Sequence, residues 1–329
     1  MSSPGAGPVV LVFVDGLGWG RVDPAVNPCH ADGVRLFALP DAAALSPGEA
    51  VPLPWGGLAR PIDAVLGVAG IPQSATGQTT LLTGVNAQAR LGHHLTGFPN
   101  AALRALLLEA SLFKRMGERG LPAAFLNAYR PLFFQLPRER QLGLSATTVA
   151  NLAAELPFRT LDDLRAGRAV YHDITSDELR QRGFDVPAIT PEAAGRLLGR
   201  EARRHAFTLF EYFRTDQAGH ARDLPRARAE LARLEAFLAG LLAELRPTGA
   251  AAAAAGADAD SGALVILTSD HGNLEDLSTR SHTRNPVPLM AWGAGAATML
   301  AAVSDLAAVA PAILGQFAAR EDAPRHADA

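Results

Sequence analysis

The chain of 329 residues has a single cysteine, Cys29, and a single lysine, Lys114, so almost all of its basic residues are arginines. One cysteine excludes an intrachain disulfide, and this is typical of proteins from a reducing compartment. Lys114 lies outside any glycine-rich phosphate-binding motif, which excludes a P-loop nucleotide-binding protein. A lone lysine also makes a Schiff-base enzyme a poor fit to this sequence.

The chain also lacks strong charge and long apolar runs. Its formal net charge is −3 and it has no basic run, so we expect no nucleic-acid partner. The apolar run at 9–14 has no basic segment before it and ends at Asp15, so it fits neither a signal peptide nor a membrane span. We therefore predict a soluble, cytoplasmic protein without a membrane partner, and the sequence leaves its oligomeric state open.

What the sequence does contain is a regular alternation of strand and helix patterns, with 48% hydrophobic residues to build a core. The strand patterns lie at 9–14, 123–126, 207–213 and 263–267. The helical patterns lie at 64–70, 75–83, 100–119, 191–204, 224–245 and 303–319. This alternation predicts an α/β fold, a three-layer αβα sandwich with a mainly parallel central sheet.

The pattern is weakest at 131–186, where short helical pieces alternate with turns that contain arginine, proline and glycine. We interpret this segment as a small cap inserted into a core made of residues 1–130 and 187–320. A low-complexity loop of alanine, glycine and aspartate is predicted at 248–262. The polar tail at 321–329 is predicted to be disordered.

Acidic residues follow three of the predicted strands, at Asp15, Asp216 and Asp270. The carboxyl ends of the strands are where open α/β sheets bind their ligands. Nearby histidines complete the set: His220, His271 and His282. Each of these residues alone also fits a turn, a helix cap or a surface position. Together at one edge of the sheet they favour a metal site, because carboxylate oxygen and imidazole nitrogen suit zinc or manganese.

Ser74 adds a nucleophile to this set, because it starts the predicted helix that Gly84 ends. Backbone N–H groups and the helix dipole favour an anion such as phosphate at this end. A bound divalent metal can lower the pKa of a serine hydroxyl and so activate it. With Ser74 the candidate ligands are sufficient for two metals, which lie about 3.5–4 Å apart in two-metal sites. Ser74 by itself also fits a simple N-cap.

Five segments occur in an order that resembles the alkaline phosphatase superfamily, and above all the metalloenzyme core of cofactor-independent phosphoglycerate mutase and phosphopentomutase. They are Val-Asp-Gly at 14–16, Gln-Ser-Ala-Thr-Gly-Gln at 73–78, Asp-Gln-Ala-Gly-His at 216–220, Ser-Asp-His-Gly-Asn at 269–273 and His-Thr-Arg-Asn-Pro-Val-Pro at 282–288. The resemblance implies two divalent metals, manganese or zinc, with magnesium as a further option. Two ligand groups are implied: Asp15, Ser74, Asp270 and His271 for one metal, and Asp216, His220 and His282 for the other. Ser74 would be phosphorylated and then released by water or by an acceptor hydroxyl.

The chain departs from the mutase pattern, because a core-like helix and strand follow the nucleophile segment where the mutase has a large inserted domain. The remaining insertion, 131–186, is short. With one lysine in the chain, arginine must supply any further phosphate contact, and Arg130 is a candidate. His93 and His94 follow the nucleophile helix and are further candidates for substrate binding.

We therefore expect a two-metal phospho-ester hydrolase that acts on a small phosphorylated metabolite through a phosphoserine at Ser74. A phosphomutase is the first alternative, although the short insertion at 131–186 disfavours it. A phosphodiesterase is a second alternative. A non-catalytic metal-binding protein on the same core is the third.

Overall fold

The computed structural model describes residues 7–246 and 262–321. Most of the predicted low-complexity loop and all of the tail predicted at 321–329 except Glu321, which ends the last helix, lie outside the described residues. None of the helices in the two described ranges combines the length and the apolar character needed to cross a membrane.

A single mixed sheet forms the centre of the described chain. Its strands are β1 (Val9–Val14), β2 (Val51–Leu53), β3 (Gly57–Ile62), β4 (Ala123–Phe125), β5 (Phe207–Tyr212), β6 (Leu264–Thr268) and β7 (Val287–Gly293). Their order across the sheet is β2-β3-β7-β6-β1-β5-β4. β1 is parallel to both β5 and β6, and β4 is parallel to β5, whereas the pairs that involve β2, β3 and β7 are antiparallel.

Helices cover both faces of this sheet. They are α1 (Ser74–Thr83), α2 (Ala87–Leu91), α3 (Ala101–Ala110), α4 (Leu112–Glu118), α5 (Pro131–Phe134), α6 (Arg138–Gln141), α7 (Ala146–Ala153), α8 (Leu161–Arg165), α9 (Asp177–Gln181), α10 (Pro191–Ala202), α11 (Arg214–Ala221), α12 (Leu224–Leu245), α13 (Ala296–Ala302) and α14 (Leu306–Glu321). Three short 3₁₀ turns lie at 28–30, 42–44 and 54–56 of the described chain.

β1 shows why the fold has three layers, because every one of its side chains is buried. Successive side chains of a strand point to opposite faces. Val10 and Val12 accordingly pack with the leucines of α10 and α12, whereas Leu11 and Phe13 pack with α1, α4, α7, α13 and α14. The predicted αβα sandwich with a mainly parallel sheet is confirmed.

Two of the predicted helices differ from the structure. The helix predicted at 100–119 divides at Ser111, whose extended backbone ends α3 and whose side chain caps Lys114 N in α4. The helix predicted at 64–70 does not form, because Leu66, Gly67 and Gly70 all have positive φ angles. The segment at 21–60, which has no strand or helix pattern in the sequence, contains β2 and most of β3.

The segment at 131–186 is made of the short helices α5 to α9. α7 packs into the same core layer as α1, through Val149 and Ala150. The later part forms a small apolar cluster of its own, with Leu161, Leu164 and Leu179 among its members. The division into a core (1–130 and 187–320) and a cap (131–186) stays a proposal, and this later part is the portion that supports it.

Gly77 holds α1 close to the end of β6, and we expect its replacement by alanine to destabilise the protein. A Cβ at this position would lie 2.7 Å from the backbone oxygen of Asp270, whereas a Cβ at Gly117 in α4 would meet nothing within 4 Å. Gly77→Ala should lower the free energy of unfolding by about 1–3 kcal/mol because of overpacking. Gly117→Ala should raise it by about 0.5–1 kcal/mol because alanine is the better helix former. Urea unfolding of the two variants measures both changes, and equal changes would contradict the expectation.

Candidate metal centre

The carboxyl ends of the three central strands bring the predicted ligand residues to one edge of the sheet. Asp15 directly follows β1, and Asp270 lies two residues after β6. α11 begins soon after β5 and carries Asp216 in its first turn and His220 in its last. Since residues four apart share a helix face, both side chains point the same way.

The first ligand group forms around the Nε2 atom of His271. This nitrogen lies 2.9 Å from Ser74 Oγ, 3.3 Å from Asp15 Oδ1 and 3.5 Å from Asp270 Oδ2. His271 and Asp270 are fully buried, and Asp15 is nearly so. Two carboxylates and the serine hydroxyl therefore surround one imidazole nitrogen, and all of these groups can bind divalent metals.

The second ligand group forms around Asp216. Its Oδ2 lies 3.3 Å from His220 Nε2, its Oδ1 lies 3.6 Å from His282 Nε2, and the two Nε2 atoms are 3.2 Å apart. The ring of His282 stacks on the ring of His271, with centroids 3.7 Å apart. The two groups are therefore neighbours. His271 has a ligand atom within 4.8 Å of Asp15 and Asp270 and also of Asp216 and His282.

The imidazoles of the second group are oriented for metal binding by backbone carbonyls. His282 Nδ1 lies 3.0 Å from the Pro72 oxygen, and His220 Nδ1 lies 3.0 Å from the Arg280 oxygen. A carbonyl oxygen only accepts hydrogen bonds, so each Nδ1 carries the proton and each Nε2 keeps its lone pair. Burial also lowers the pKa of His271 and of His282 to about 4, which keeps both rings neutral.

The carboxylates of the site repel one another in a buried setting. Burial, reinforced by the charges of Asp270 and Asp216, raises the pKa of Asp15 well above its usual range. Burial and the charge of Asp216 raise the pKa of Asp270 to about 7. Asp15 Oδ1 and Asp270 Oδ2 are buried and have no hydrogen-bond partner among the described residues. Divalent metal ions would neutralise this charge and coordinate these oxygens, so the donor set fits them.

Ser74 is the first helical residue of α1, and Gln73 is the N-cap. The serine hydroxyl does not cap the helix. It contacts His271 of the first ligand group, and Ser74 lines a cavity. This finding removes the simple N-cap interpretation of Ser74. It also places the N-terminal backbone N–H groups of α1 beside the hydroxyl, where they favour a phosphoryl oxygen.

Two polar residues after β6 belong to the site and were not identified from sequence. Asn273 Nδ2 donates to Asp216 Oδ1 at 2.6 Å and so orients this ligand. The buried Glu275 accepts from the backbone N–H groups of Gly18 and Asn273, at 2.9 and 2.8 Å, and from Asn285 Nδ2 at 3.0 Å. Glu275 thereby fixes the loop at 272–281 that joins the two ligand groups. Asn273 and Glu275 follow an apolar strand and an Asp-His pair, and this position was the sequence signal that could have identified them.

Glu211 is a further buried acid that sequence analysis missed. It lies in β5, accepts from Thr147 Oγ1 at 2.7 Å, and lines the same cavity as Asp15 and Ser74. Burial raises its pKa to about 7. A glutamate within an otherwise apolar strand was the signal that could have identified it.

A cavity of about 650 Å³ opens above the first ligand group. Asp15, Ser74 and Asp216 lie in its wall, and so does the predicted substrate residue Arg130. His93 and His94 are not among the residues that line this cavity, and their role in substrate binding stays a proposal. Gly92 turns the chain with a positive φ, so that His93 is exposed and His94 bonds the carbonyl oxygen of Val68.

Comparisons with known proteins point to the same kind of site. Residues 197–321 match the family model of the Metalloenzyme superfamily. A phosphopentomutase of Methylobacterium radiotolerans is 32% identical over 167 residues, which are 45% of this chain and 35% of that relative. A phosphopentomutase of another Methylobacterium is 38% identical over 77 residues, 23% of this chain and 16% of that relative. The matches thus span about a third or less of the length of these relatives.

Among solved structures, the alkaline phosphatase of the Antarctic bacterium TAB5 shares the fold. The TM-score is 0.53 at 14% sequence identity, and the match covers 95% of this chain and 99% of that one. The chain thus shares its fold with an alkaline phosphatase, and residues 197–321 are similar to the Metalloenzyme superfamily.

Proposed function

We propose that this protein is a two-metal phospho-ester hydrolase that acts on a small phosphorylated metabolite through a phosphoserine at Ser74. The contact between Ser74 Oγ and His271 Nε2, at 2.9 Å, carries the proposal. It joins a hydroxyl at a helix N-terminus to a buried ligand group, and the same hydroxyl lines a large cavity. The metals are manganese or zinc, with magnesium as the further option.

The proposed reaction has two displacements. Bound metals supply a lower pKa for the Ser74 hydroxyl and neutralise charge on the phosphoryl oxygens. Ser74 Oγ attacks phosphorus, the ester P–O bond breaks, and the alcohol leaves with a proton. Water then attacks the phosphoserine. This step releases inorganic phosphate and restores the free hydroxyl of Ser74. The N-terminal N–H groups of α1 bind the phosphoryl oxygens, and Arg130 is the candidate for a further phosphate contact.

The rim of the cavity supports hydrolysis over transfer to a second hydroxyl. Phe98 and Leu132 line the cavity, yet their side chains are 62% and 65% exposed. Water therefore reaches this part of the cavity. A mutase must keep water away from its phosphoenzyme while the substrate reorients, which an open rim opposes.

Metal removal is the first test of this proposal. We expect a chelator to abolish phosphate release from monoesters and added manganese or zinc to restore it, because the buried carboxylates of the site need a cation. Release of inorganic phosphate from a panel of phosphate monoesters, phosphodiesters and sulfate esters measures the activity. Full activity after complete removal of metal would overturn the proposal, and preferred turnover of diesters would favour the phosphodiesterase.

A phosphomutase is the second candidate, because the matched relatives carry the name phosphopentomutase. The same panel separates the two functions. A pentose phosphate that is isomerised without release of inorganic phosphate would favour the mutase. Binding of metal without turnover of any ester would favour the non-catalytic metal-binding protein.

A further inference from the structure

Part of the cavity wall is apolar. Aromatic and aliphatic side chains form this surface, which we call the apolar wall: Phe98, Phe125, Leu132, Phe133, Leu136 and Leu144. Phe133 is its buried centre, and its ring lies 4.3 Å from the ring of Tyr129 and 4.6 Å from that of Phe158. The wall thus presents a packed aromatic surface beside the proposed nucleophile.

Polar side chains next to this wall are engaged with one another, whereas Arg130, His172 and Gln217 line other parts of the cavity. Tyr129 Oη lies 2.7 Å from Thr148 Oγ1, which also lies 2.9 Å from Ser145 Oγ. Asn127 uses both ends of its amide on Glu211, since Nδ2 donates to the backbone oxygen at 2.8 Å and Oδ1 accepts from the backbone N–H at 2.9 Å. These groups therefore have little capacity left for hydroxyls of a substrate.

The size of the cavity makes this wall important for substrate choice. Its volume of about 650 Å³ lies in the range of pockets that hold drug-sized ligands, so a phosphoryl group at Ser74 leaves most of it free. A sugar placed against the apolar wall would bury hydroxyls without partners there, and each would lower affinity by roughly one to two orders of magnitude. A flat apolar group would instead bury its surface against Phe133 and its neighbours.

We propose that the alcohol part of the substrate is a planar, largely apolar group, so that the substrate is an aryl-type or arylmethyl-type phosphate ester and not a polyhydroxylated sugar phosphate. This inference rests on the proposed function, because it assigns the part of the ester that leaves Ser74. Phe98 and Leu132, at the exposed rim, contact the distal end of this group, and Phe133 contacts its face.

The test compares 1-naphthylmethyl phosphate with ribose 5-phosphate and glycerol phosphate on the metal-loaded protein. All three esters release primary alcohols, so intrinsic reactivity is similar and differences report recognition. We expect kcat/KM for the naphthylmethyl ester to be at least about tenfold higher, which corresponds to burial of part of one aromatic ring. The Phe98→Ala and Leu132→Ala variants should each lose most of this advantage. Trp55→Ala is the matched control, because Trp55 is an exposed aromatic residue that lies outside the described lining of the cavity.

Direct binding separates failure of this inference from failure of the proposed function. Calorimetry with 1-naphthylmethylphosphonate and 2,3-dihydroxypropylphosphonate, which are not hydrolysed, measures recognition without turnover. Tighter binding of the apolar phosphonate, lost in Phe98→Ala, supports the inference even if no ester is turned over, and only the proposed hydrolysis then fails. Equal or tighter binding of the dihydroxypropyl compound, or a higher kcat/KM for ribose 5-phosphate, overturns the inference and leaves the hydrolase intact.

Discussion

The Ser74→Ala variant is expected to lose phosphatase activity by at least about 10⁴-fold in kcat/KM, since loss of a nucleophile removes the whole covalent route. Its metal content should stay that of the unaltered protein, because the carboxylates and imidazoles of both ligand groups remain. Initial rates of phosphate release and metal analysis of the purified variant measure the two quantities. Loss of metal together with activity would instead assign Ser74 an essential ligand role.

Trapping of the phosphoenzyme completes this test. Rapid acid quenching of the unaltered protein with substrate should leave one phosphoryl group on the peptide that contains Ser74, and mass spectrometry detects it. The control is Ser304→Ala, which removes an exposed serine hydroxyl far along the chain and should leave the rate unchanged. Activity that survives in Ser74→Ala would exclude the serine as the nucleophile.

Asp270→Asn is expected to have opposite effects on activity and on stability. It removes a charged ligand, so kcat/KM should fall by on the order of 10³-fold, equivalent to about 4 kcal/mol of transition-state stabilisation. In the metal-free protein it should raise the free energy of unfolding at pH 8 by about 1–3 kcal/mol, because an amide replaces an uncompensated buried charge. Thermal unfolding in chelator and metal stoichiometry measure these changes.

The sign of the stability effect follows from the raised pKa of Asp270, about 7 in the folded protein. A carboxyl with a raised folded pKa favours the folded state while it is protonated, and this contribution is lost as pH rises towards and through that pKa. The gain from Asp270→Asn should therefore be larger at pH 8 than at pH 5. Asp185→Asn is the control, since Asp185 is exposed and the same change of charge there should alter stability little. A variant less stable than the unaltered metal-free protein at pH 8 would contradict the repulsion described for the site.

Strands and long helices were predictable from sequence because their apolar periods are uninterrupted. β1 has the predicted bounds Val9–Val14, and α12 has the predicted bounds Leu224–Leu245. The β3–β7 pairing was not predictable, since these strands contain Pro61 and Pro288 and meet across more than two hundred residues. The failure at 64–70 had a local cause, the left-handed backbone at Leu66, which composition does not reveal.

The candidate ligands were predictable because each follows an apolar strand or lies within a short motif. The structure brings all seven together, while their role as ligands stays a proposal. The groups that position them were not predictable: Glu275 and Asn273 act through tertiary hydrogen bonds, and Glu211 resembles any polar residue in a strand. The apolar wall was not predictable either. It depends on the packing of Phe133 with Tyr129 and Phe158, and the weak pattern at 131–186 gave no indication of this packing.

The position of β1 in the sheet has a consequence for the order of events during synthesis. β1 is made first, yet its neighbours β5 and β6 begin at residues 207 and 264. The amide of Gly16 bonds Asp270, which lies 254 positions later in the chain. A growing polypeptide therefore carries Asp15 and Ser74 for most of translation without the partners that complete the first ligand group. The proposed metal centre can therefore be completed only after the ribosome has released the stretch from Asp270 to His282.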